Sequence, residues 1–191
     1  ETIRSAPKVL LHDHLDCGLR PASVIELARE TGYAGLPTED ADELGRWFRS
    51  GADRGSLELY LEGFTHTVGV MQAPDAITRV AAECAQDLAA DGIVYAEVRY
   101  APELSTQGGL SLDEVMRAWL AGLEREARSR RLLFVKIDPD VAPDEPQGRA
   151  ITALLQARGW LPSAEQIQFR NTALLDLTHA RQDIDNLGGL G

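Results

Sequence analysis

His12 and His14, one residue apart, are the side chains of this 191-residue sequence best suited to chemistry. In an extended strand, residues two apart face the same side. Two imidazoles placed so can reach one metal ion. Imidazole nitrogen suits zinc, and a catalytic zinc keeps one coordination position open for water. A bare His-x-His is a short pattern, and two histidines in a polar loop would look the same. Its setting adds weight. Lys8 to Leu11 form a short apolar run that leads into His12-Asp13-His14-Leu15-Asp16. That reads as a buried strand with polar groups at its C-terminal end, the end at which active sites of (β/α) barrels sit. Glu97 and Arg99 also share one side of a strand and read as a structural ion pair rather than catalytic groups. Cys17 and Cys84 do not make a disulfide framework and read as reduced thiols. A Cys17 thiolate would compete for zinc; the alternative is an inert buried cysteine. His66 reads as a surface or partly buried helical residue, and His179 follows a strand.

The elements that must position these groups follow from apolar period and punctuation. Arg20 to Glu30 reads as a helix, with Pro21 in its first turn and Gly32 past its end. Thr38 to Phe48 is a second, acidic helical stretch. Leu57, Leu61, Phe64, Val68 and Met71 recur at helical spacing, as do Ile77, Val80, Ala81, Cys84 and Leu88, with Gly92 as a stop. Ile93 to Tyr100 is rich in β-branched and aromatic residues and reads as a strand. Ser111 and Glu114 form a capping box, opening a helix with Leu112, Val115, Trp119 and Leu123 on one face. Leu132 to Ile137 is a third strand, stopped by Asp138-Pro139. Gly148 to Arg158 is a helix, Thr172 to Leu177 a fourth strand, and the glycine-rich end a loose tail. Strand, helices, strand, helix, strand, helix, strand indicates an α/β protein with mostly parallel strands.

Composition narrows the function classes. With 19 basic against 30 acidic residues the net charge is −11. That argues against nucleic acid or an anionic membrane as partner, and leaves a small neutral substrate open. No apolar run is long enough to cross a membrane. No secretory signal is visible, and the first residue is Glu1 rather than methionine, as in a trimmed chain. The expectation is a cytoplasmic protein. A complete (β/α)8 barrel takes roughly 250 residues, so this sequence is short for one.

Three ordered blocks resemble the adenosine deaminases over residues 1 to about 130. Lys8-Val9-Leu10-Leu11-His12-Asp13-His14-Leu15-Asp16 looks like that family's first-strand motif. Ser56-Leu57-Glu58-Leu59-Tyr60-Leu61-Glu62-Gly63-Phe64 resembles its helical lid segment, and Val94 to Pro102 its second barrel strand. The resemblance implies a zinc-dependent hydrolase that converts adenosine to inosine and ammonia. It implies zinc on His12 and His14, a hydrogen bond from the nucleoside ribose to Asp16, and an apolar wall over the substrate made by Leu57, Tyr60, Leu61 and Phe64. From spacing alone those four read as plain helix core. Cys17 stands where the family usually has glycine, and its bulk would crowd the ribose side. The family's third histidine ligand, aspartate, catalytic glutamate and fourth histidine come from later strands. Neither His66 nor His179 stands in such a context, so the catalytic residues remain unknown.

Leu133 to Val141 and Ser163 to Thr178 instead resemble the Fem family of peptidoglycan aminoacyl transferases, over about residues 131–180. The expectation is therefore an α/β chimera. A partial (β/α) barrel over 1–130 is completed by a second strand-helix-strand segment over 131–180, with a loose tail at 181–191, or all as one compact domain. Two barrel units and a third strand cannot close an eight-stranded barrel, and an open parallel sheet leaves edges and an uncovered apolar face. Self-association, as a homo-oligomer, would cover them. As a function, a deaminase segment inactive by itself stands beside a structural domain without catalysis and a transferase fragment.

Overall fold

The computed structural model describes residues 6–53, 55–129, 135–139 and 144–162. Three strands form one parallel sheet in the order β1-β2-β3: β1 Lys8–His14, β2 Ile93–Tyr100 and β3 Val135–Pro139. Four helices follow β1: α1 Pro21–Thr31, α2 Ala41–Ala52, α3 Leu57–Val70 and α4 Pro74–Ala90. Helix α5, Leu112–Ser129, joins β2 to β3, and α6, Pro146–Ala157, follows β3. This is the α/β arrangement with parallel strands and helical crossovers expected of a partial barrel. The chain divides into two compact units, Glu1–Leu154 and Leu155–Gly191. Of the second, only residues 155–162 are described. The expected strand at Thr172–Leu177, His179 and the loose tail lie outside the described residues.

Local chemistry sets most boundaries where the sequence places them. Pro21 opens α1, and Gly32 ends it with φ of +74°. Such a left-handed C-cap is costly for any residue with a Cβ. Helix α2 begins later than the acidic stretch suggests, because Asp40 is its cap and accepts from the Glu43 amide at 2.8 Å. The capping box is formed: the Ser111 amide donates to Glu114 Oε2 at 2.9 Å, and the Glu114 amide donates to Ser111 Oγ at 3.3 Å. Strand β3 does not stop before Asp138-Pro139. Arg99 pairs in register with Asp138, and Tyr100 with Pro139. A proline is tolerated at the end of a strand where no ladder donor is needed.

The core lies around β2 and between α4 and α5. Ala96, Val98 and Tyr100 are buried, as are Ile77, Val80 and Ala81 of α4 and Val115, Met116, Trp119, Leu120 and Leu123 of α5. The two helices approach so closely at Gly122 that a Cβ there would lie 2.1 Å from the Thr78 carbonyl oxygen. Across the same contact the Thr78 hydroxyl donates to the Ala118 carbonyl at 3.0 Å. Ionic contacts tie α1 to α4 at the surface. Arg79 bridges Glu26 and Glu83, and Arg20, just before α1, pairs with Asp87 at 2.6 Å.

Strand β1 corrects one expectation. It is not buried: Val9 is 59% and Leu11 62% exposed. Among the described residues its hydrogen-bonded neighbour is β2 alone, which leaves β1 at the edge of the described sheet. Its register with β2 slips between Leu10 and Asp13, and His12 takes a φ of +59°. This is bulge-like geometry, in which an extra residue re-aims its side chain.

Candidate metal and substrate site

The C-terminal end of β1 carries both histidines. His12 Nε2 lies 3.2 Å from His14 Nε2, and the ring centroids are 5.1 Å apart. The simple two-residue alternation of a regular strand is broken here by the bulge, yet the imidazoles still converge. Two nitrogens on one tetrahedral zinc, each about 2.0–2.1 Å from the metal, would stand about 3.4 Å apart. The observed separation is close to that edge length. It also suits an N–H···N hydrogen bond, in which one nitrogen bears the proton that a metal ion would replace. Among the described residues no group of three or more His, Cys, Asp or Glu is arranged to hold a metal ion. The donor set is therefore a pair.

Beyond the strand, a short 3-10 turn at Leu15–Cys17 buries Leu15 and Asp16. Burial raises the pKa of Asp16 above the usual carboxylate value, against a backbone hydrogen bond and the charge of His14. Burial likewise raises that of Asp13. The Cys17 thiol is pushed up to about 12, first by desolvation and then by the charges of Asp16 and Asp13. A hydrogen bond with the Tyr60 hydroxyl opposes that rise. At neutral pH Cys17 is a protonated thiol and a poor competitor for a metal. The contact with Tyr60 places helix α3 against this turn.

The four apolar residues on α3 are not plain helix core. Leu57 is 67%, Tyr60 41% and Leu61 47% exposed. Phe64 is half-buried and meets the Tyr60 ring edge-on at a centroid distance of 5.5 Å. Among the described side chains of α3 the buried ones are Thr67 and Val70, at its C-terminal end. His66 is half-buried, and its Nδ1 lies 2.9 Å from the Tyr33 hydroxyl. Burial lowers its pKa. It belongs to the seat of α3 and lies apart from the histidine pair in its contacts.

Strand β2 supplies what sequence reading missed. Arg99 is the register partner of His14, and its Nη1 reaches to 3.4 Å from His12 Nε2. Glu97 is buried and accepts from the Tyr95 hydroxyl at 2.5 Å. Aligning the polar ends of β1 and β2 as neighbouring parallel strands is the signal that sets Arg99 beside the histidines.

Comparison with known proteins fits this geometry. The family model described as adenosine deaminase matches residues 7–137, which takes in β1, β2 and the first three residues of β3. Adenosine deaminase 1 of Streptomyces coelicolor is 66% identical over 131 residues, covering 68% of this chain and 33% of that protein. The chain thus spans about a third of the length of the curated relatives it matches. Among solved structures, arabidopsis ADAL in complex with GMP superposes with a TM-score of 0.61 at 23% identity, over 81% of this chain and 48% of that one. An amidohydrolase from Burkholderia ambifaria with bound Zn gives a TM-score of 0.59 at 22% identity, over 81% and 42%. These two share the fold. The match of sequence over most of the chain identifies the family: this protein belongs to the adenosine deaminase family.

Proposed function

We propose that this chain carries the first part of the active site of a zinc-dependent deaminase acting on a purine nucleoside, adenosine to inosine and ammonia. The observation that carries the reading is the convergence of His12 Nε2 and His14 Nε2 at 3.2 Å, close to the separation of two ligands on one tetrahedral ion. In this reading His12 and His14 hold zinc. When bound, zinc polarises water and brings its pKa to about 7, which makes a hydroxide nucleophile available near neutral pH.

The other residues act by position. Asp16 is buried beside the pair and is offered to the ribose as a hydrogen-bond partner. Its burial keeps bulk water from competing for that bond. Leu57, Tyr60, Leu61 and Phe64 present an apolar face beside Asp16 and Cys17, suited to cover a purine ring and exclude water. That Leu57, Tyr60 and Leu61 are exposed rather than packed into the core supports a ligand-covering role over a structural one.

A catalytic zinc normally takes three protein ligands, and the described residues group two. We therefore read the 191-residue chain by itself as inactive toward adenosine, a structural domain that keeps an inherited pair of ligands. The Fem-like stretch and the chimeric origin belong to this second reading. Conversion of adenosine to inosine, followed by ultraviolet absorbance with the zinc-supplemented chain, separates the two. Turnover abolished by His12→Ala establishes a working deaminase site within this chain. No turnover supports the inherited, incomplete one.

A further inference from the structure

The guanidinium of Arg99 points at the atoms proposed to take the metal. Arg99 sits on β2 opposite His14 in the parallel register, so the two side chains share a face of the sheet. Its Nη1 lies 3.4 Å from His12 Nε2, while His12 Nε2 lies 3.2 Å from His14 Nε2. At 3.4 Å the contact is long for a hydrogen bond. It is nonetheless close enough to set a permanent positive charge beside the lone pair a metal would use. Any divalent cation entering between the imidazoles must approach it or displace it.

We propose that Arg99 opposes metal binding at the bis-imidazole site: its guanidinium stands at the approach to His12 Nε2 and must swing away for a divalent metal to bind. The proposal rests on the zinc reading above and goes beyond it, because it assigns Arg99 an opposing role at the site. Two features of the fold support it. The bulge that gives His12 its φ of +59° turns the imidazole toward both His14 and Arg99, so one backbone distortion serves both contacts. His12 is also exposed, which leaves a long side chain such as Arg99 room to withdraw toward solvent. Asp13 and Asp16 lie close enough to His14 to interact with its charge from the β1 side.

Removing the charge then strengthens metal binding. Isothermal titration of zinc chloride into the full chain, wild type against Arg99→Gln, reads this directly. The expected result is binding about tenfold tighter in Arg99→Gln, equivalent to about 1.4 kcal/mol. Arg99→Lys, which keeps the charge, stays near wild type. The gap between wild type and Arg99→Gln narrows as salt is raised, because exposed charges are screened. Circular dichroism checks that each variant is folded, and Arg99→Met, which keeps the apolar stem, replaces Arg99→Gln if that variant is not. Equal or weaker zinc binding in the folded neutral variant overturns the proposal while leaving the zinc reading intact. No binding in wild type or variant overturns the zinc reading, and the role of Arg99 with it.

Discussion

Helices α3 and α5 carry the same kind of sequence signal and end in opposite surroundings. Both repeat apolar residues at helical spacing, Leu57, Leu61 and Phe64 in one and Val115, Trp119 and Leu123 in the other. Val115 and Trp119 are fully buried and Leu123 is 1% exposed, whereas Leu57 is 67% and Leu61 47% exposed. The difference lies in what each face meets. Helix α5 lies against α4, close enough at Gly122 for backbone contact. The N-terminal half of α3 faces the turn that bears Asp16 and Cys17. Apolar period states that a face exists, and the partner decides whether that face is core or wall.

Substitutions sharpen this contrast in a definite order. Trp119→Ala removes the largest fully buried side chain among the described residues and lowers stability by about 3–5 kcal/mol, measured by urea unfolding. Gly122→Ala puts a methyl group where the Thr78 carbonyl already lies, forcing α4 and α5 apart. The same measurement gives a loss of about 1–3 kcal/mol. On α3, Leu57→Ser and Leu61→Ser each change stability by no more than about 0.5 kcal/mol, since little buried area is lost. A loss at Leu61 as large as at Gly122 would break the comparison, because it would make α3 an ordinary core helix. The smallest effect is kinetic. The Cys17 pKa of about 12 exceeds the ordinary thiol value, so the thiolate is scarce at pH 8.5 and gains only as pH rises toward 12. Alkylation followed by mass spectrometry is slow in the folded chain and fast in urea, where the pKa returns to about 8.5.

Much of the fold was legible because its boundaries are set locally. Pro21, Gly32 and the Ser111–Glu114 box act on neighbours within a few residues, and their helices stand where those residues put them. β2 runs from Ile93 to Tyr100, as its β-branched and aromatic run implies. The misses are tertiary. The exposure of Val9 and Leu11 depends on what stands beside β1, and the bulge at His12 depends on its pairing with β2. For the candidate site, His12 and His14 were legible from their place at the end of a strand, and Asp16 only through the resemblance to the adenosine deaminases. The contact of Arg99 with His12 joins residues 87 apart and needs the register of two strands. No periodicity carries that information.

The central claim is that the end of β1 is built to bind zinc. It is tested most directly by zinc titration of the wild-type chain against the double variant His12→Ala, His14→Ala, with circular dichroism to follow the fold. Both histidines belong to an edge strand outside the main core, so helical content should be unchanged. The account predicts about one tightly bound zinc per wild-type chain and none in the variant. Unchanged zinc stoichiometry in the folded double variant would contradict it.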